Sequence, residues 1–468
     1  MIGRSIKPLS ALLLLSLASL AGCSGGSSSG GGSSSSSGGV AMCNNLPQAN
    51  GVIGQLNFTA GAPNTGGVSG STLDAPQGPL SANGTSSYLA DTGNNRVLGF
   101  SGTPTGVAGA ASFIIGQPDA QTVSSGSGPV SGSPIKFSAP AKVSVGGTYL
   151  VVADSGNNRV LIWNKLPTAN TAPDVVLGQP DLSSSDANHP AATVSASSLS
   201  NPTAAIISNG QLLVVDKGNN RVLIWNTVPT TNNTLADVEL GQIATNSAGV
   251  ENCTANSGSA GYCFATNNPA SDTAPQGASF YVLGINSPSD AWTDGAHLLF
   301  SDTGNHRVLF WGTVPTVNNK LADNVIGYTQ FGQNNQTGGA GVAGLHSPWG
   351  LTSDGVNLFV GDTGNNRVLE FANYLGTPSN GTSANYVFGQ ADFTHTQQND
   401  PDQNNQVGDQ SHNPATDGIT AGTMSSPLGV FANSSNDLFV TDSGNSRVLH
   451  FAASSGVDGS EPYIPCGI

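Results

Sequence analysis

The chain has 468 residues, with 13 Lys+Arg against 28 Asp+Glu, 62 glycines, 6% aromatic residues and only 9% charged residues. This acidic balance argues against nucleic acid as a partner, since binding it needs a basic footprint, and fits solubility better than recognition of a cation. Abundant glycine and sparse charge suit short strands joined by turns rather than surface helices, so the composition predicts an all-β protein.

The N-terminus reads MIGRSIKPLSALLLLSLASLAGC: two cations, Arg4 and Lys7, an apolar stretch to Leu20, then small residues before Cys23. That is the layout of an export signal over residues 1–22, and no other stretch is apolar enough to span a bilayer. The four residues LAGC resemble the lipobox of bacterial lipoproteins. The resemblance implies that Cys23 becomes the acylated first residue of the mature chain and its membrane anchor. Ser24 rather than Asp after it implies passage to the outer membrane in a diderm cell, facing the periplasm or the surface. Residues 24–39 are Ser and Gly alone, so 23–39 reads as an acylated tether with an r.m.s. reach of roughly 20–24 Å. Without residues 1–22 the formal charge is −17.

From residue 40 to 468 the chain is expected to form a single repeat domain, and three landmarks recur in order. The first is Gly-Gln, at Gly54, Gly116, Gly178, Gly241, Gly332 and Gly389. The second is a proline, at Pro76, Pro140, Pro202, Pro288, Pro348 and Pro427. The third is a decapeptide such as DSGNNRVLIW, opened by Asp91, Asp154, Asp216, Asp302, Asp362 and Asp442. Proline to Asp is 14 or 15 residues each time, and segments such as LLVVD and DLFVTD between them read as strands. The decapeptide offers a D-x-G-N turn and then a strand. A further apolar stretch follows before the next Gly-Gln, so each unit holds four strands.

Six four-stranded units predict a β-propeller, because one such sheet cannot cover both of its apolar faces and radial stacking covers them all. The decapeptide with its proline and preceding strand resembles the NHL repeat, over about residues 73–451. The fold implied is a six-bladed NHL-type propeller of antiparallel blades. The register also predicts closure: the strand near Gly51 to Phe58 has no blade of its own and the sixth blade lacks its outermost strand, so the two should pair and leave no open edge.

Alternation along RVLIW puts Arg159, Leu161 and Trp163 on one face, so the arginine points into the packing between blades. All arginines after residue 22 are of this kind: Arg96, Arg159, Arg221, Arg307, Arg367 and Arg447. A buried guanidinium needs partners, and the expected ones are a motif Asp from the same or an adjacent turn and turn carbonyls. The glycine at the third position is expected to take a positive φ. A motif repeated in every blade is architecture rather than a site.

Antiparallel strands bring the inter-blade links and the D-x-G-N turns to one face and the Pro-Thr loops to the other. Most insertion falls on the turn face, chiefly at 243–286 and 391–426, and variable loops on a rigid frame are where binding is usually placed. Two residues after each proline the chain reads Gly78, Lys142, Ala204, Asp290, Gly350 and Gly429. Lys142 and Asp290 break that small-residue pattern and, with Trp349 as a stacking surface, are candidate binding residues at the channel mouth; a solvated ion pair or two unrelated surface charges is the plainer alternative. No catalytic or zinc signature is found. His189, His297, His306, His346, His395, His412 and His450 are scattered, so no cofactor is expected, although a divalent ion in the central channel is compatible with the fold. The resemblance to the propeller family also brings in amidating lyases, lactonases and streptogramin lyases, none of whose catalytic residues can be placed here. The leading expectation is a monomeric, lipid-anchored module binding a protein, peptide or glycan. The alternative is a metal-dependent lyase or hydrolase at the channel mouth.

Beyond Cys23, Cys253 and Cys263 lie ten residues apart in the longest insertion of an exported chain and are expected to form a disulfide, the alternative being free thiols or a metal pair. Ring closure brings the chain ends together, so Cys43 and Cys466 are expected to bond as well.

Overall fold

The computed structural model describes residues 46–190, 192–241, 284–331, 339–400 and 418–452. Cys23, Cys43, Cys253, Cys263 and Cys466 lie outside the described residues, as do His412 and parts of both large insertions. Six four-stranded antiparallel sheets are formed. Blade 1 comprises Ser81–Ala82, Ser86–Asp91, Arg96–Ser101 and Phe113–Ile115. Blade 2 comprises Pro140–Gly146, Tyr149–Asp154, Arg159–Trp163 and Val175–Leu177. Blade 3 comprises Pro202–Ser208, Gln211–Asp216, Arg221–Trp225 and Val238–Leu240. Blade 4 comprises Ala291–Thr293, Leu298–Asp302, Arg307–Trp311 and Asn324–Ile326. Blade 5 comprises Leu351–Ser353, Leu358–Asp362, Arg367–Phe371 and Tyr386–Phe388. Blade 6 comprises Pro427–Ala432, Leu438–Asp442 and Arg447–Phe451, and is completed by Gly51–Ile53 from the start of the domain.

That last pairing is the ring closure. Gly51, Val52 and Ile53 face His450, Leu449 and Val448 in antiparallel register, and Val52 and Ile53 are fully buried. The outer strand of blade 6 therefore comes from the opposite end of the domain, which pairs an edge that would otherwise be open.

Strand alternation sends successive side chains to opposite neighbours. Leu161 and Trp163 pack with Tyr88, Val97 and Ile115 of blade 1, whereas Val160 and Ile162 pack with Val214, Leu223 and Trp225 of blade 3. The same layering recurs between blades 3 and 4, 4 and 5, 5 and 6, and 6 and 1. The core is thus six inter-blade layers, and no blade buries its faces alone.

Two sequence expectations need correction. The motif glycine does not take a positive φ; that role falls to the fifth position, where Asn95, Asn158, Asn220, His306, Asn366 and Ser446 have φ between 48 and 56°. Glycine is required at the third position by close approach, since a Cβ on Gly156 would lie 2.7 Å from the Ser138 carbonyl oxygen. The second correction concerns register in blade 4. Its outer strand Asn324–Ile326 ends at Gly327, whose φ of 99° matches the positive φ, between 85 and 100°, of Gly54, Gly116, Gly178, Gly241 and Gly389. The equivalent landmark is therefore Gly327-Tyr328, not Gly332-Gln333. With it, motif Asp to landmark Gly spans 24 to 27 residues wherever both fall in one unit.

Candidate binding face and channel mouth

Each arginine contacts the Asp of its own motif, five residues earlier. The Nε donates to the Asp Oδ2 at 2.7 Å in Arg96, Arg221, Arg307, Arg367 and Arg447 and at 2.8 Å in Arg159. The terminal nitrogens donate to carbonyls on the inter-blade linkers. Arg96 reaches Ser69 and Thr72 on the linker entering its blade and Ala120 on the linker leaving it. Arg159 reaches Lys136 and Leu182 in the same way. Arg447 reaches Thr420, Thr423 and, across the ring closure, Phe58. Arg221 also donates to the Glu239 carboxylate at 3.0 Å. In blades 1, 2, 4, 5 and 6 the cation thus ties a turn to two linkers, and in blade 3 it ties a turn to the entering linker and to Glu239, so turns and linkers share one face.

The Asp is equally occupied. Asp154 Oδ2 also accepts from Asn157, and its Oδ1 accepts the Ser138 N–H; the same three bonds recur at Asp91 and Asp442. Burial pushes the Asp154 carboxyl up, while Arg159 and these hydrogen bonds pull it down. A second contact, not legible from the motif, joins neighbouring blades. The left-handed fifth residue accepts the backbone N–H of the residue before the next blade's proline: Asn95 from Ala139, Asn158 from Asn201, Asn220 from Ser287 and Asn366 from Ser426. His306 does so from Ser347 through Nδ1, and Ser446 from Ala75 through its hydroxyl.

The innermost strands begin at this turn face. The motif's second residue points to the next blade's proline: Thr92 donates to the Pro140 carbonyl, Ser155 to Pro202, Thr303 to Pro348 and Thr363 to Pro427. In blade 3 that residue is Lys217, whose Nζ lies 4.2 Å from the centre of the Trp349 ring on blade 5. Burial pushes the Lys217 ammonium below its ordinary range, and among the described residues it forms no ion pair. The structure brings Trp349 to the rim, half-buried. It places Lys142 and Asp290 deeper: they form a buried ion pair linking blade 2 to blade 4. Asp290 also accepts the N–H groups of Ala291 and Leu351, and burial pushes its carboxyl up against the pull of Lys142. These two are therefore bound to each other, not solvated.

His306 and His346 face each other with ring centres 5.2 Å apart, while His297, His395 and His450 each lie beside an aspartate. Among the described residues no group of three or more His, Cys, Asp or Glu side chains is placed to hold a metal ion.

No curated protein matches the chain in sequence. Among solved structures it is similar to an auxiliary nutrient binding protein from Bacteroides thetaiotaomicron, at 11% identity, covering 86% of this chain and 76% of that one, with a TM-score of 0.43. It is also similar to a streptogramin B lyase, at 10% identity over 84% and 95% of the two chains and a TM-score of 0.38. A third is the WD40 propeller domain of Doa1, at 9% identity over 86% and 96% with a TM-score of 0.37. The sequence profile of the NHL repeat matches residues 424–451, the core of blade 6. The stretch matched by the NHL repeat contains the Asp–Arg staple of blade 6, and the same staple recurs in all six blades of this β-propeller.

Proposed function

We propose that this protein is a lipid-anchored binding module of the bacterial cell envelope, held through Cys23 and a Ser/Gly tether, which takes a protein, peptide or glycan on its turn face. The observation that carries the reading is a contrast in lengths. The landmark Gly to the following proline spans from 21 to 47 residues between blades, although the arginines pin described parts of every linker. Variation is therefore concentrated on one face of a fixed frame, the usual arrangement for recognition.

The test is a blockade of one face at a time. A clickable residue at exposed Gln121 or Ala187, on turn-face linkers, or at exposed Thr168, on a Pro-Thr loop, is coupled to a polyethylene glycol chain. Retention on immobilised envelope material is expected to fall about tenfold or more, ~1.4 kcal/mol or more, for the first two and to stay unchanged for Thr168. Equal retention in all three would refute the reading.

A further inference from the structure

Two sets of equivalent residues lie where the innermost strands begin: one carries a hydroxyl in every blade but one, and the other is varied and aromatic in a single blade. The second motif position is Thr92, Ser155, Thr303, Thr363 and Ser443 in five blades and Lys217 in the sixth. The position after the proline is Gln77, Ala141, Thr203, Ser289 and Leu428 in five blades and Trp349 in the other. In blades 2, 3 and 6 the inner strand skips this residue in its pairing, a bulge of the sort that re-aims a side chain. The two exceptions lie two blades apart, yet they meet: the ammonium sits over the indole ring. Nothing in the repeat requires either residue, since Thr or Ser serves the first position in the other blades and Gln, Ala, Thr, Ser or Leu serves the second.

Beneath them the inner strands of adjacent blades lie close together. A Cβ on Gly350 would collide with the Leu428 carbonyl and one on Gly429 with Pro79, so these inner strands touch backbone to backbone. Lys142 and Asp290 link blade 2 to blade 4 and neutralise each other. This leaves one aromatic plate and one cation that forms no ion pair among the described residues, in an acidic protein.

We propose that Lys217 and Trp349 form a subsite for a carboxylate-bearing sugar ring, such as a uronic-acid residue of an acidic glycan. This rests on the turn face being the binding face. The pyranose stacks on the indole, and the ammonium turns from the ring to the sugar carboxylate. The partly desolvated cation over an aromatic face is a strong electrostatic partner, and the amphipathic indole supplies rigid contact area at low entropic cost. Charge selects acidic over neutral sugars.

The native repeat supplies variants that should fold: Lys217→Thr copies Thr303, and Trp349→Ser copies Ser289. Titration calorimetry of the full mature chain in detergent, with a galacturonic acid trimer and with maltotriose, is the experiment. The acidic trimer should bind one to one, at least about tenfold more tightly than maltotriose, and each substitution should weaken it by about tenfold or more. No binding, equal binding of the neutral trimer, or affinity unchanged in both variants would overturn the subsite. Tighter binding of a peptide with a free C-terminal carboxylate, lost in the same variants, would overturn the glycan assignment. If the trimer fails while a polymer at Gln121 still blocks envelope retention, only the subsite is wrong; loss of both results removes the binding face as well.

Discussion

Arg159 is fully buried, and its guanidinium is satisfied by one carboxylate and two linker carbonyls. Arg159→Leu leaves Asp154 without its charge partner and is expected to cost roughly 3–5 kcal/mol. Lys217→Thr, at a half-buried position, should change stability by less than about 1 kcal/mol; denaturant unfolding of both checks this, and equal small losses would contradict the staple. Glu370 supplies a pH test. Its carboxyl is pushed up to about 7, first by burial and then by Asp354. The folded protein holds this proton where the unfolded chain, near 4.5, has lost it. Its contribution is therefore complete below about pH 4.5 and is lost as pH rises through about 7, on the order of 2–3 kcal/mol. Glu370→Gln should flatten that fall in unfolding free energy, and a parallel fall in variant and wild type would refute it. The Asp–Arg pair was readable because five residues separate the two in every copy. The carbonyl acceptors were not, since a carbonyl has no sequence signature and the linkers vary. Nor was Lys217 as the partner of Trp349, because the two lie 132 residues apart in sequence.

The strand-turn-strand element was legible almost entirely, from the proline through the decapeptide, because its alternation, turn residues and length repeat six times. What sequence missed within it was steric. Glycine in a turn suggests a positive φ, but Gly156 is there because the backbone of Ser138 occupies the space of a side chain. Asn158 carries the left-handed conformation instead and uses its side chain twice, accepting from Asn201 and donating to Ser185. Asn158→Ala should cost on the order of 1–3 kcal/mol, from two lost bonds and a residue poorly suited to a left-handed φ. An unchanged thermal midpoint would show the blade-to-blade latch to be dispensable. In blade 4 the Gly-Gln pattern misled because Gly327 is followed by Tyr328, while a Gly-Gln pair occurs by coincidence five residues later. Backbone conformation, not the dipeptide, defines that landmark.

Across the whole molecule, closure was predictable from the order of landmarks alone: an unpaired strand at one end of the domain and an incomplete blade at the other. Deleting 46–58 removes Gly51–Ile53 from blade 6 and the Phe58 carbonyl from Arg447. That variant is expected to melt lower and to self-associate through the exposed edge, and a monomer of wild-type stability would contradict the closure. Cys23→Ala should move the protein from the membrane to the soluble fraction; labelled fatty acid absent from wild type would reject the anchor. Function was the least legible, since a sixfold repeat describes the frame and recognition depends on departures from it. The most direct measurement is hydrogen exchange of the intact protein, free and bound to envelope material. Slowed exchange in the turn-face linkers 116–137 and 178–190, with the Pro-Thr loops 164–174 and 226–237 unchanged, is the predicted result. Protection confined to those Pro-Thr loops, or spread evenly over both faces, would contradict the account.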